Sequence, residues 1–379
     1  MQETSEVKVG IFLNRPNRFL CEVEIDGTIE CCHLPNPGRM WELLFPRVRM
    51  YVRRSGQKNR RTAYDVIGVE REGIPILLDT QYTNEVAARL IQEKKIPAWK
   101  DWQVLRREVA VGHSRFDLLL GRGPERFYVE VKSCTLFGRH GAMFPDAVTE
   151  RGKKHLLTLA AMREEGIRTG ILFLVQWDRA RWFLPDYHTD PAFASVFFNV
   201  AQRLDWQAFS VHWTPTFQMP EPAGPLFYPA QVLDKENHDS GVYLVILQVE
   251  RSVRIEIGAM GERIFPAGYY VYIGSAKKHL TARLERHKRL RKKMHWHIDY
   301  LRQQAKVTAT VPIRTSAPLE HSLAAAVQAV SEGSVPGFGC TDCSCRSHLF
   351  MFSQNPLQQR DFVQVIEDFR INRLEALIE

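Results

Sequence analysis

Long hydrophobic runs are absent from this sequence. The two most apolar stretches, ILFLV at 171–175 and VYLVIL at 242–247, are the length of single strands, whereas a membrane-spanning helix needs about 20 apolar residues. The N-terminal segment MQETSEVKVG has no basic region followed by an apolar one, so an export signal is not indicated. Cysteine is sparse and odd in number, seven in 379 residues, which argues for reduced thiols rather than a disulfide framework. We therefore expect a cytoplasmic protein. No internal repeat relates the two halves of the chain. What the chain does have is a hydrophobic fraction of 45% and a net charge of +8. The first excludes disorder throughout, and with this length it implies two or three domains. The second favours an anionic partner, with nucleic acid ahead of a membrane surface if the cations cluster.

Residues 1–82 are rich in short β-type runs, FLCEVEI (19–25), VRMYVRR (48–54) and YDVIGVE (64–70), broken by turn residues at 26–27 and 35–39. A small antiparallel barrel is the economical reading. Residues 83–213 mix helical and strand patterns: a helix at 84–96, two strands, a second helix at 149–166, then the buried-type strand GILFLVQW (170–177). These form an α/β layer. Residues 214–240, with PTFQMPEPAGPLFYP at their heart, read as a semi-stiff linker. A second α/β unit is expected over 241–379, opening with GVYLVILQV and GYYVYIG and continuing into a strongly basic helix.

The first chemical constellation is RFD (115–117) followed, after a GRGPER turn, by YVEVKSC (128–134). Two strands joined by a turn bring Asp117 beside Glu130, and alternation puts Glu130 and Lys132 on one face with Val129 and Val131 on the other. Two carboxylates suit Mg²⁺ (or Mn²⁺), which activates water for attack on phosphorus, while an ammonium offsets charge developing on the phosphate. Alone, an ExK tripeptide is more often a solvated strand face. The surrounding HLPNPGRM (33–40), SRFDLLL (114–120), YVEVKSCTL (128–136) and FPDAVTERGKKHL (144–156) closely resemble the SfsA (sugar fermentation stimulation) family over about residues 10–213. That resemblance implies an OB-like DNA-binding barrel followed by a PD-(D/E)XK nuclease-like domain, with Asp117, Glu130 and Lys132 at its core motif. It also implies a role in sugar (maltose) metabolism.

Asp146, Thr149, Glu150, Arg151 and His155 start the helix after the ExK strand and are expected to face the same cleft, with capping as the alternative duty of Thr149 and Glu150. In the barrel, Arg15, Arg18, Asn36 and Arg39 sit near turns, and KNRR (58–61) adds a basic loop, so phosphate contacts are expected from them. Phe19, Tyr51 and Tyr64 are candidates for stacking on bases, with core packing as the competing use. Pro37 stands where the resembling family commonly has threonine.

The second constellation comprises GVY (241–243), GYYVYIGSA (268–276), the helix HLTARLERHKRLRKK (279–293), HWHIDYL (295–301) and LEHSLAAAV (319–327). Tyr243 and Tyr272 fall on two adjacent strands, and Arg283 and His287, four apart, share a helix face. A phenol can shuttle a proton, Arg283 can hold a phosphate, and Glu320 can supply a carboxylate to Mg²⁺. Arg286 and Arg289 of the same helix are expected to contact the DNA backbone. The set resembles the GIY-YIG superfamily over about residues 240–353, particularly its small domains marked by YIGSA, WHIDYL and a GFG-x-x-DCxCxxHLF tail. This implies a C-terminal GIY-YIG-like α/β domain with Tyr243, Tyr272, Arg283, His287 and Glu320 at motif positions. The chain departs from the pattern in having GVY for GIY, a shortened KKHL segment, and no identifiable late asparagine.

Cys340, Cys343, Cys345 and His348 resemble a compact zinc-ligand set. Their Cys-x-Cys spacing is tighter than a usual knuckle, however, and we expect a structural role without metal for Asp342, Cys343, Cys345 and His348. Two functions remain open: a DNA-binding protein, or a Mg²⁺-dependent endonuclease acting through one or both sites.

Overall fold

Short alternating runs separated by turn residues dictate the first layer of the molecule. In the computed structural model, which describes residues 6–56, 61–112, 114–340 and 343–378, the chain divides into two compact units, 1–233 and 234–377. Most of the basic loop expected at 58–61, and Asp342, lie outside the described residues.

The first unit opens with strands β1 (Val7–Asn17), β2 (Leu20–Ile25), β3 (Thr28–His33), β4 (Arg49–Arg54), β5 (Tyr64–Arg71) and β6 (Ile74–Leu77). Asp26 and Gly27, both at positive φ (51° and 79°), make the tight turn between β2 and β3. β1, β2 and β3 run antiparallel, β4 pairs with β1, and β5 joins β4 while closing onto β3 in parallel through Cys32↔Tyr64 and His33↔Asp65. The ring 1-2-3-5-4 is the OB-type barrel, filled by Phe12, Val23, Met50, Val52 and Val66.

Helix α1 (Thr80–Gln92) leads into β7 (Gln103–Val111), β8 (Ser114–Arg122), β9 (Glu125–Cys134), β10 (Leu136–Phe137), β11 (Gly141–Phe144), α2 (Glu150–Glu164), β12 (Arg168–Val175), β13 (Trp182–Pro185), α3 (Pro191–Val200) and β14 (Asp205–His212). The main sheet has a parallel centre, β9-β12-β14, and antiparallel flanks, β7 and β8 on one side and β15 (Glu221–Pro225) on the other. Period-two alternation sorts its faces. Leu118, Leu120, Val129 and Leu172 pack against Val86, Leu90 and Ile91 of α1, while Ile171 and Phe173 pack with Leu156, Leu159 and Phe197 of α2 and α3.

The expected linker at 214–240 is instead built structure. β15 pairs with β14, Phe217 is fully buried against Tyr51 and Trp213, and Ala230–Glu236 forms helix α4. Its prolines misled because proline is tolerated on an edge strand, where no ladder donor is needed.

The second unit contains β16 (Gly241–Val249), β17 (Val253–Glu256), β18 (Glu262–Phe265), β19 (Gly268–Ala276), α5 (Leu280–Lys288), α6 (His297–Arg302), β20 (Lys306–Arg314), α7 (Glu320–Val330), β21 (Gly333–Ser334), β22 (Leu349–Phe352) and α8 (Arg360–Arg370). Its antiparallel sheet runs β20-β16-β19-β22-β21. Register places Tyr243 opposite Gly274. A Cβ at Gly274 would stand 2.5 Å from the Tyr243 hydroxyl, so this glycine makes room for the phenol. Among the described residues, no helix is long and apolar enough to cross a membrane.

Candidate functional sites

Strand alternation presents Glu130 and Lys132 on the face of β9 opposite the one buried under α1, and the hairpin from β8 sets Asp117 beside them. Asp117 is anchored by both oxygens: Oδ1 accepts from Asn84 Nδ2 at 2.7 Å and Oδ2 from the Val131 amide at 2.8 Å. Burial, and then the neighbouring Glu130, push its carboxyl up to about 6. Glu130 is itself buried. Its Oε1 accepts from Lys132 Nζ and contacts His155 Nδ1, each at 2.6 Å. Burial opposes its ionisation, but His155 and Lys132 more than offset that and hold it below the usual carboxylate range. Its other oxygen, Oε2, is buried without a hydrogen-bond partner. Leaving such an acceptor unsatisfied costs roughly 1–3 kcal/mol, more for a charged group. Paired carboxylate oxygens of this kind are a donor set that suits a divalent cation.

The cleft outside these residues has a volume of about 510 Å³ and is bordered by Arg18, Asn36, Lys132, Asp146 and Arg151. The barrel turn 35–39 forms its rim, which gives the arginines and asparagine there internal duties. Arg15 donates to the carbonyls of Arg39 (2.9 Å), Arg18 (2.9 Å) and Asn36 (3.2 Å). Asn36 Oδ1 accepts from the Gly38 amide at 2.9 Å. Arg39 donates to the Asp146 carbonyl and to Thr189 Oγ1, and it lies over Trp41. Arg15, Asn36 and Arg39 thus shape the rim, and Arg18 is the exposed cation of the four. Asp146 packs against Gly38, where a Cβ would lie 2.2 Å from its carboxylate, and burial raises it to about 6.

Thr149 caps α2, accepting from the Gly152 amide at 3.0 Å, and Glu150 pairs with Lys153 on the helix surface. Of the aromatics, Tyr51 is buried core, Tyr64 is packed against the core, and Phe19 is half exposed beside Arg18. Asn84 carries no motif signal. It lies in the first turns of the helix expected at 84–96 and is recognisable only once α1 is seen to cross β8.

In the second unit, Tyr243, Tyr272, Arg283 and Glu320 line one cleft of about 470 Å³, together with Ser275 and Trp296. Arg283 donates to the Ser275 carbonyl at 2.9 Å and lies over the Trp296 ring. The Tyr243 hydroxyl and His287 Nε2 are 2.9 Å apart. Burial drives both tyrosines above the usual phenol range, Tyr272 further by Tyr243 and Glu320. His287 is 1% exposed, and burial, then Lys292, lower it to about 4, so it is a neutral partner of Tyr243 rather than a phosphate ligand. Glu320 Oε2 accepts from Ser275 Oγ, and Oε1 lies 3.3 Å from His348 Nδ1. Burial raises it, but His348 and Ser275 prevail and keep it ionised. Glu320 is the one carboxylate among the described residues lining this cleft, so a Mg²⁺ held there would have a single protein carboxylate.

The basic helix divides similarly. Arg286 forms a two-pronged pair with the fully buried Asp299, NH1–Oδ1 3.1 Å and NH2–Oδ2 2.9 Å, and Lys292 meets the same carboxylate at 2.9 Å. Arg286, with its side chain 26% exposed, is thus committed to Asp299, which cannot be buried without cations. Arg289, at the C-cap of α5, is exposed.

Three family descriptions match this chain: the SfsA N-terminal OB domain at residues 13–78, the sugar fermentation stimulation protein RE domain at 81–216, and the domain of unknown function DUF123 at 242–371. The sugar fermentation stimulation protein homolog of Methanothermobacter thermautotrophicus is 39% identical over 187 residues, which are 49% of this chain and 78% of that protein. The homolog of Desulfitobacterium hafniense is 38% identical over 192 residues, 51% of this chain and 83% of the relative. Among solved structures, SfsA of Pyrococcus furiosus in complex with Ca²⁺ superposes with a TM-score of 0.54 at 26% identity, covering 60% of this chain and 99% of that one.

Proposed function

The chain belongs to the sugar fermentation stimulation protein family, and from that premise we propose that it is a DNA-binding protein whose Asp117–Glu130–Lys132 cleft hydrolyses phosphodiesters with a divalent metal. The observation that carries this reading is Glu130 Oε2, a buried carboxylate oxygen without a partner beside a second carboxylate. Asp117 and Glu130 would hold Mg²⁺ or Mn²⁺, which supplies Lewis-acid activation of water and phosphate. The Ca²⁺ complex of the Pyrococcus relative supports divalent binding by this type of domain. His155 orients Glu130 through Oε1 and leaves Oε2 for the metal. Lys132 carries the cation that meets charge developing on the phosphate. Arg18 and Arg151, on the cleft rim, supply backbone contacts to the nucleic acid.

The test is to incubate the full chain with branched, single-stranded and duplex DNA, and with RNA, with and without Mg²⁺ or Mn²⁺. Metal-dependent cleavage that disappears in Asp117→Asn is the expected result. Binding without cleavage of any substrate would leave the regulatory reading, in which the protein acts on sugar (maltose) metabolism as a DNA-binding factor. In the tyrosine cleft, the convergence of Tyr243, Tyr272 and Arg283 supports a phosphate-binding role, for which Arg283 is the contact group.

A further inference from the structure

Two thiols and two imidazoles meet beside the tyrosine cleft. His321 comes from the first turn of α7, and Cys343, Cys345 and His348 come from the loop entering β22, where Gly337 and Gly339 at φ 77° and 73° turn the backbone. One ligating atom from each of the four lies within 4.8 Å of all the others. His321 Nδ1 is 3.1 Å from Cys345 Sγ, and His348 Nε2 is 3.5 Å from Cys343 Sγ. With Zn–S near 2.3 Å and Zn–N near 2.0–2.1 Å, a tetrahedral centre requires sulfur–nitrogen edges of about 3.5 Å. The His348–Cys343 distance equals such an edge, and the His321–Cys345 distance is about 0.4 Å shorter. By spacing alone Cys340 would take the fourth place; the fold puts His321 there instead.

The other side of the histidine provides a second, independent observation. Where a histidine ligates a metal, its remaining ring nitrogen ordinarily faces a carboxylate that fixes its orientation. His348 presents Nε2 to the thiols and Nδ1 to Glu320 Oε1. Glu320 is in turn tied through Oε2 to Ser275 of β19. His348 is also 2% exposed, so its ring direction is set by packing as well as by the carboxylate.

We propose that His321, Cys343, Cys345 and His348 form a four-ligand zinc site, with Glu320 as the outer carboxylate that positions His348. On binding, the two thiols release their protons to solvent and two thiolates with two neutral imidazoles surround Zn²⁺, leaving the centre without net charge. The ligand set is closed, which is the arrangement of a structural rather than a catalytic zinc. Zinc held here clamps the start of α7 to the loop before β22, both of which wall the tyrosine cleft. This inference does not depend on either cleft cutting DNA.

The experiment uses the full chain, purified under reducing conditions without chelator. Metal analysis should give about one zinc per chain, and replacement by Co²⁺ should produce tetrahedral visible bands with a near-ultraviolet thiolate charge-transfer band. Cys343→Ser and Cys345→Ser should each remove about half of that band, whereas Cys31→Ser, on the exposed face of the barrel, should leave it whole. Glu320→Gln should retain the tetrahedral spectrum but weaken zinc in competition with a chelator by about 10- to 100-fold. Should a cysteine variant fail to fold, thiol labelling of the parent replaces it: chelator should make two further thiols reactive. Negligible zinc with no Co²⁺ uptake, a Co²⁺ complex lacking the charge-transfer band, or loss of metal in Cys340→Ser but not in His321→Ala would each overturn the assignment.

Discussion

In the cleft at β9, a buried and a half-buried carboxylate lie side by side, the half-buried Asp117 is pushed up to about 6, and one oxygen of Glu130 has no partner. In the tyrosine cleft the carboxylate is single and held below its usual range, with Oε2 accepting from Ser275 and Oε1 lying 3.3 Å from His348 Nδ1. The first site offers two carboxylates and an oxygen without a hydrogen-bond partner; the second offers a single carboxylate. The motifs of both read as nuclease-like and magnesium-dependent, yet the first sets two carboxylates together with one buried oxygen unpartnered, whereas the second has one carboxylate. A motif position fixes a residue type, whereas the free valence of its atoms decides what it can hold.

Lys132 puts this contrast under the greatest strain. If its ammonium meets charge in the transition state, Lys132→Ala should lower metal-dependent cleavage by about a hundred- to a thousandfold while DNA affinity stays nearly unchanged. Single-turnover rates and binding isotherms of the full chain check this, and equal cleavage by mutant and parent removes the site. Arg283→Ala, in the cleft with a single carboxylate, should instead weaken binding of a phosphate-bearing ligand without abolishing cleavage at the first site.

Arg286 and Asp299 test the ion pairing within the second unit. Asp299 has no exposed side-chain surface, and its partners hold it far below the usual carboxylate range despite burial. Arg286→Ala leaves Lys292 as its remaining side-chain cation, so the unit should lose about 3 kcal/mol, the lower end of the cost of breaking a buried pair. Denaturant unfolding measures it. A loss near zero would mean that Arg286 belongs to the surface after all.

The next effect separates the clefts by pH. Asp117 and Asp146 are both raised to about 6 from an ordinary value of 3.8, so the native state holds these protons more tightly than the unfolded chain does. Without metal, this penalty is absent below about pH 4, grows through the window from 4 to 6, and is fully present above about 6. A two-unit shift corresponds to roughly 2–3 kcal/mol for a buried group. Ca²⁺, which favours the ionised form of Asp117, should therefore raise the unfolding temperature at pH 8 and scarcely change it at pH 5. The same increment at both pH values would place the cation elsewhere.

Much of the molecule is legible in its sequence because it rests on periodicity. The barrel runs, the ExK strand, the tyrosine strands and the basic helix follow from alternation or from four-residue spacing, and the residues they position do converge as expected. What escapes depends on contacts between distant segments. Asn84 meets Asp117 across 33 residues and His321 meets Cys345 across 24; no local pattern encodes either. Arginines mislead for a related reason: Arg15, Arg39 and Arg286 look exposed by composition, but the carbonyls and carboxylate they satisfy become visible only when the turns and Asp299 are folded around them. Prolines at 220–225 mislead by marking an edge strand as a linker.

Arg289 gives the smallest effect and the finest discrimination within the basic helix. It stands three residues from Arg286 on the same element but is exposed, and it carries no ion pair to an acidic side chain among the described residues. If the helix contributes to DNA affinity through a diffuse field, each exposed cation releases about one counterion. Arg289→Ala should then leave stability within about 0.5 kcal/mol of the parent and reduce the slope of log K against log salt by about one. Measuring affinity at several salt concentrations gives that slope directly, with the Arg286→Ala protein tested only where it remains folded. An unchanged slope would remove this helix from the DNA-contacting surface and leave the cleft rim of the first unit, with Arg18 and Arg151, to carry the phosphate contacts.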